Sequence, residues 1–206
     1  YCWLRDAYYV VQALNRLGAA DMLENYLSYL RNLVGQAKGG HVQPVYGVGL
    51  EPALREWIAP HLPGYRGMGP VRIGNQAHEH LPHDVYGQII LSTVQAFFDE
   101  RLYRPATLED FRQLEPIGER AFELHDKTDA GLWEFRGREA VHTYSSVMCW
   151  AACDRLGNAA GKLGLRERAD YWNGRAATIR ATIETRAWNA EKGYYAANFG
   201  GDELDA

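Results

Sequence analysis

Six stretches of this chain repeat their apolar residues at intervals of three and four: 6–17, 21–34, 83–100, 107–125, 142–157 and 166–187. In the first, Ala7, Val10, Val11, Leu14 and Leu17 share one face of a helix; in the second, Leu23, Tyr26, Leu27, Leu30 and Val34 do so. Gly18 and Gly157 stand where C-caps would, and Thr107, followed by Glu109 and Asp110, where an N-cap would. The stretches come in pairs whose members differ. The first of each pair is apolar on most sides and carries small residues, while the second has Arg, Glu and Asp along one face. A helix apolar all round is buried, and one with a charged face lies outside. Alternating inner and outer helices predict a ring of helical hairpins. The expected fold is therefore all-α: an incomplete (α/α)6 toroid, three hairpins of six.

At 206 residues, one domain over 1–206 is the natural size. The end at Tyr1-Cys2-Trp3, which runs straight into a helical pattern, and the loop-like Gly200–Ala206 both read as cuts in a longer catalytic domain. Strand signals are confined to 41–48 and 194–199, expected as hairpin-like excursions. Between 35 and 82 lies a long connection rich in Gly and Pro, of the kind that usually carries function.

The charges, 22 basic and 26 acidic, form no basic stripe, which argues against nucleic-acid binding. No apolar run is long enough for a membrane-spanning helix. Cys2, Cys149 and Cys153 have no metal spacing, and Cys149 and Cys153 fit buried thiols, which favours a reducing, cytoplasmic setting.

Three polar clusters sit where inner helices begin. In Trp3-Leu4-Arg5-Asp6, the Arg fork donates and the Asp accepts, so the two can grip sugar hydroxyls; the structural alternative is an N-cap Asp with a neighbouring ion pair. Arg72 and Asn75 precede His78, His80, His83 and Asp84. Pro82 among these histidines removes the helical spacing of a zinc site, so no metal is expected. The third cluster, Asp129-Ala130-Gly131-Leu132-Trp133-Glu134-Phe135-Arg136-Gly137, sets the Glu134 carboxyl between two aromatics. Apolar neighbours disfavour its charged form, which lets it hold a proton near neutral pH and deliver it. The alternative is a Glu paired with Arg136 or Arg138 at the surface.

Taken together, Tyr1–Asp6, Gly64-Tyr65-Arg66-Gly67, Pro70–Asn75, Asp84-Val85-Tyr86-Gly87, Gly131–Gly137 and His142–Trp150 resemble, in register and in order, glycoside hydrolase family 15. This is the family of glucoamylases and glucodextranases, with related prokaryotic trehalases. The resemblance implies an (α/α)6 barrel that hydrolyses an α-linked glucoside with inversion, without a cofactor. It implies Glu134 as general acid, Arg5 and Asp6 holding the non-reducing glucose beside Trp3, Trp133 walling the pocket, and Arg72 and Asn75 near the sugar. His80 and Pro82 depart from the glutamines of many relatives, which bears on linkage. An inverting enzyme also needs a second carboxylate roughly 6.5–9.5 Å from the acid. No motif in this chain matches that role, so the segment alone is expected to be inactive. A carbohydrate-binding or regulatory protein, or a phosphorolytic enzyme, are the other functions that the same toroid would serve.

Overall fold

The computed structural model describes residues 1–134 and 137–205. Six α-helices carry the described fold: α1 (Leu4–Arg16), α2 (Ala20–Gln36), α3 (Asp84–Val94), α4 (Leu108–Leu124), α5 (Thr143–Lys162) and α6 (Arg166–Arg186). Helix α3 lies between α1 and α5, and α2, α4 and α6 pack outside their partners. The chain is all-α, with the inner and outer layers of an (α/α) toroid.

The residue pattern sets the layers. Ten of the eleven residues of α3 are buried, including Gln88, Ser92 and Thr93. Two of these polar groups are satisfied within the helix, Ser92 Oγ donating to the Gln88 carbonyl at 2.7 Å and Thr93 Oγ1 to the Ile89 carbonyl at 2.7 Å. Helix α6 is the opposite case. Only Trp172, Ala176, Ile179 and Ile183 are buried, a stripe at spacings of four, three and four, and the rest faces water. The main core joins Leu30 and Leu33 of α2, Ile89 and Ile90 of α3, Phe111 of α4, Leu156 of α5 and Trp172 of α6.

Thr107 caps α4 as its sequence predicts. Its hydroxyl accepts from the Asp110 N–H, while Asp110 accepts from the Thr107 N–H at 2.8 Å. Gly18 follows α1 with φ +91°.

Four expectations need correction. Helix α5 does not stop at Gly157 but continues to Lys162. Gly157 serves a close approach instead, since a Cβ there would lie 2.2 Å from Asn173 Oδ1 of α6. The helix in 83–100 ends at Val94 and tightens into a 3-10 turn over Gln95–Phe97. Helix α1 is not buried all round: Leu4 and Asn15 are its buried residues, and Tyr9 and Val10 are exposed. Of its apolar stripe, Ala7 and Val11 pack half-buried against the core, while Val10 and Leu17 stand exposed. Finally, 41–48 makes no hairpin. There β2 (Val45–Tyr46) pairs antiparallel with β1 (Cys2–Trp3), a non-local partner. Strands β3 (Trp57–Ile58) and β4 (Arg72–Ile73) also pair, and 194–199 supplies β6 (Tyr194–Tyr195) to β5 (Trp188–Asn189).

Among the described residues no helix is long and apolar enough to cross a membrane, and the three cysteines are free.

The tightest inner contact is between α3 and α5. A Cβ on Gly87 would lie 2.3 Å from the Met148 carbonyl oxygen, which is backbone and has no rotamer to move. Gly87→Ala is therefore expected to destabilise the fold by about 1–3 kcal/mol despite its better helix propensity. Urea denaturation of parent and variant measures this; a more stable variant would show that the two helices do not pack this closely.

Candidate active site

The site is assembled from the entrances of the inner helices. The β1–β2 pairing fixes the chain just before α1, and Leu4 N–H donates to the Pro44 carbonyl at 3.0 Å. Arg5 and Asp6 thus emerge from the first turn of α1. Trp3, not Asp6, occupies the N-cap position, and no side chain caps it. Asp6 is free of the capping role that its sequence position allowed, and its side chain is 62% exposed.

Arg5 organises its surroundings. Its Nη1 donates to the Leu132 carbonyl at 2.9 Å and lies 3.6 Å from Glu134 Oε1, while Nη2 lies 3.3 Å from Asp6 Oδ2. Its guanidinium also sits 5.8 Å from the centroid of the Trp3 ring, which itself packs against Val45, Leu54 and Ala77. Arg5, Asp6, Tyr9, Leu132, Trp133 and Tyr144 line an open hollow of about 390 Å³. This is within the size range of small-molecule sites, about 300–1,000 Å³. Glu134 is not among these lining residues; it contacts one of them, Arg5.

The Glu134 side chain is only 14% exposed. Desolvation pushes its carboxyl up from 4.5 to about 7; Arg5 opposes the shift, and Asp84 and Asp6 add to it. The backbone turn Glu134 N–H to Gly131 carbonyl, 3.1 Å, presents it, and Glu134 itself takes φ +52°. Arg5 is an ionic partner of this carboxyl. Phe135 and Arg136 lie outside the described residues.

The structure brings together Arg5, Asp6, Trp133 and Glu134. Trp133 is 57% exposed on the hollow, and its Nε1–H donates to Asp205 Oδ1 at 3.0 Å. Arg72 and Asn75 are not among the lining residues. Arg72 stands exposed on β4, and Asn75 Oδ1 accepts from the Ala77 N–H at 2.9 Å, capping a 3-10 turn over Gln76–Glu79. Of the loop histidines, His78 Nδ1 meets the Asn75 carbonyl at 2.8 Å. Among the described residues, no three His, Cys, Asp or Glu converge as metal ligands.

Two residues of the site were given no role from sequence. Asp84, the first residue of α3, is 2% exposed and accepts from Gln88 Nε2. Burial, reinforced by Asp129, raises its carboxyl to about 7 against the pull of Arg5. Tyr144, in the first turn of α5, lines the hollow 3.5 Å from the Tyr9 hydroxyl, and burial holds it well above the usual phenol range. Both stand inside motifs of the resemblance. What marks them as site residues is a long-range neighbourhood, not a local pattern.

Because Asp84 is a like charge acting on Glu134, Asp84→Asn is expected to move the Glu134 titration below about 7. Carboxyl 13C shifts followed against pH read this directly; an unmoved or higher midpoint would show that Asp84 does not act on Glu134.

Comparisons with known proteins give the chain's relatives and its family. The trehalase of Mycolicibacterium smegmatis is 33% identical over 208 residues, all of this chain and 30% of that protein. The trehalase of Mycobacterium tuberculosis is 31% identical over 209 residues, again all of this chain and 30% of the relative. Trehalase 2 of Sulfolobus acidocaldarius is 27% identical over 206 residues, covering 35% of its length. The chain therefore spans about a third of the curated relatives that it matches. No solved structure matches at a significant level. The model of glycosyl hydrolases family 15 matches residues 1–206, from end to end, and the chain belongs to that family.

Proposed function

We propose that this chain is the part of an inverting glycoside hydrolase that binds the non-reducing glucose and supplies the general acid, Glu134. The substrate is an α-linked glucoside, and the relatives named as trehalases make trehalose the first to test. The observation that carries the proposal is the Glu134 carboxyl. It is largely shielded, held in a turn beside Arg5 and raised to about 7. At its ordinary 4.5, only about one molecule in 300 would hold the proton at pH 7; at about 7, roughly half do. A group in that state can protonate the leaving oxygen.

Arg5 and Asp6 meet the sugar with a donor fork and an acceptor, and Trp133 offers its ring at the rim of the hollow. In this mechanism Glu134 transfers its proton to the glycosidic oxygen as the C1–O bond breaks. A water deprotonated by a second carboxylate adds to C1 from the opposite face, giving the inverted β-anomer. That carboxylate would come from the remainder of the polypeptide. Arg72 and Asn75 would reach the sugar only if the rest of the site brings it to them, so they rank below Arg5 and Asp6 as binding residues.

The test is hydrolysis of trehalose, maltose and isomaltose by the full-length protein, with the product anomer followed by NMR. Glu134→Gln is expected to lower turnover by about 10²–10⁴-fold while ligand binding persists. Because the acid must be protonated, kcat/KM of the parent should fall as pH rises through about 7. Undiminished hydrolysis by Glu134→Gln would sink the proposal, as would two α-glucose from trehalose in place of the one α- and one β-glucose that inversion gives, or release of the non-reducing glucose of maltose or isomaltose as the α-anomer.

A further inference from the structure

The loop that carries Glu134 is anchored at one buried carboxyl. Asp129 has no side-chain exposure and accepts hydrogen bonds from three separate places. The His83 backbone N–H, just before α3, donates to Oδ2 at 2.8 Å. Ser145 Oγ, in the first turn of α5, donates to the same oxygen at 2.7 Å. His142 Nδ1, at the N-cap of α5, donates to Oδ1 at 2.7 Å. The Asp129 backbone also exchanges both hydrogen bonds with Ala140, at 2.9 and 3.3 Å, closing the base of the loop.

The His142 ring passes this anchorage on. Gly131 takes φ +67°, and a Cβ there would lie 2.6 Å from His142 Nε2, so the loop backbone rests against the imidazole. The Gly131 carbonyl then accepts from the Glu134 N–H at 3.1 Å. His142 is itself braced from behind, where it bridges to Asn198 and Thr143 N–H donates to the Ala197 carbonyl at 2.8 Å. An unbroken series of contacts runs from Asp129 through His142 and Gly131 to Glu134. Asp129 touches neither the hollow nor Glu134 directly.

We propose that Asp129, acting through His142 and Gly131, is a positioning residue for the general acid: it locks the Glu134 loop to the entrances of α3 and α5. This rests on the hydrolase function proposed above. The demand on such a lock is strict, because misplacing a catalytic group by about 1 Å can cost about 10²-fold in rate.

The chemistry of the leaving group separates positioning from folding. A glucoside leaving group must be protonated as it departs, whereas fluoride leaves with little or no help from an acid. In the full-length protein, Asp129→Asn keeps the shape but replaces one acceptor oxygen with an amide N–H₂, which then faces either the His142 donor or the His83 and Ser145 donors. It is expected to lower kcat on the best natural α-glucoside by about 100-fold, with KM little changed. Hydrolysis of α-glucosyl fluoride should stay within a few-fold of the parent. If Asp129→Asn does not accumulate as folded protein, the same ratio is read on His142→Ala, which leaves the His83 and Ser145 bonds in place and must move the same way. Equal losses on both substrates, or no loss on either, would overturn the inference while leaving the hydrolase intact. A parent enzyme that cleaves neither substrate would remove the hydrolase proposal, and this inference with it.

Discussion

The burial of α3 is the constraint on which the site depends. Gly87 lets α3 and α5 approach until backbone faces backbone, and with α1 on the other side every residue of α3 but the half-buried Leu91 is buried. A helix buried along its length also buries its first turn, where Asp84 sits with one Gln88 amide as partner. The interior thus receives a carboxyl that ordinary core packing would exclude. It lies 2% exposed and acts electrostatically on Glu134, which keeps two raised carboxyls in one neighbourhood.

Arg5 decides how far that environment goes. A guanidinium next to two acids favours their charged forms, and it pulls both Glu134 and Asp84 downward. Desolvation nevertheless outweighs it at each carboxyl, and both are raised to about 7. Part of the reason is that Arg5 is divided among the Leu132 carbonyl, Asp6 and Glu134, so no single acid has its full fork. At 3.6 Å the contact with Glu134 is ionic and lacks the geometry of a strong bidentate pair. Were Arg5 to close fully on Glu134, the carboxyl would be held ionised and useless as a donor.

The fold was legible in the sequence wherever one element determines its own pattern. The stripe of Trp172, Ala176, Ile179 and Ile183, the Thr107–Asp110 box and the alternation of buried and half-wet helices are all local features. Gly157 misled because glycine serves both helix ends and helix crossings, and only the partner residue, Asn173, distinguishes them. The strand at Val45–Tyr46 misled because its partner lies more than forty residues away. Of the site, Arg5, Asp6 and Glu134 were accessible through their motifs. Asp84 and Asp129 stood in the same polar clusters but received no role, since a buried acid and an exposed one look alike until their neighbours are known. Asn75 shows the reverse, a residue of the resemblance whose side chain here is occupied by capping.

Glu134 adopts a left-handed backbone conformation that glycine takes freely and other L-residues take at a cost of roughly 1 kcal/mol or more. Burial of a carboxyl adds to that cost. Selection for heat resistance alone would therefore favour replacing this acid with glycine, which relaxes the turn. If Glu134 is the proton donor proposed above, the same exchange would abolish turnover, so variants recovered from a screen blind to catalysis should lose it early.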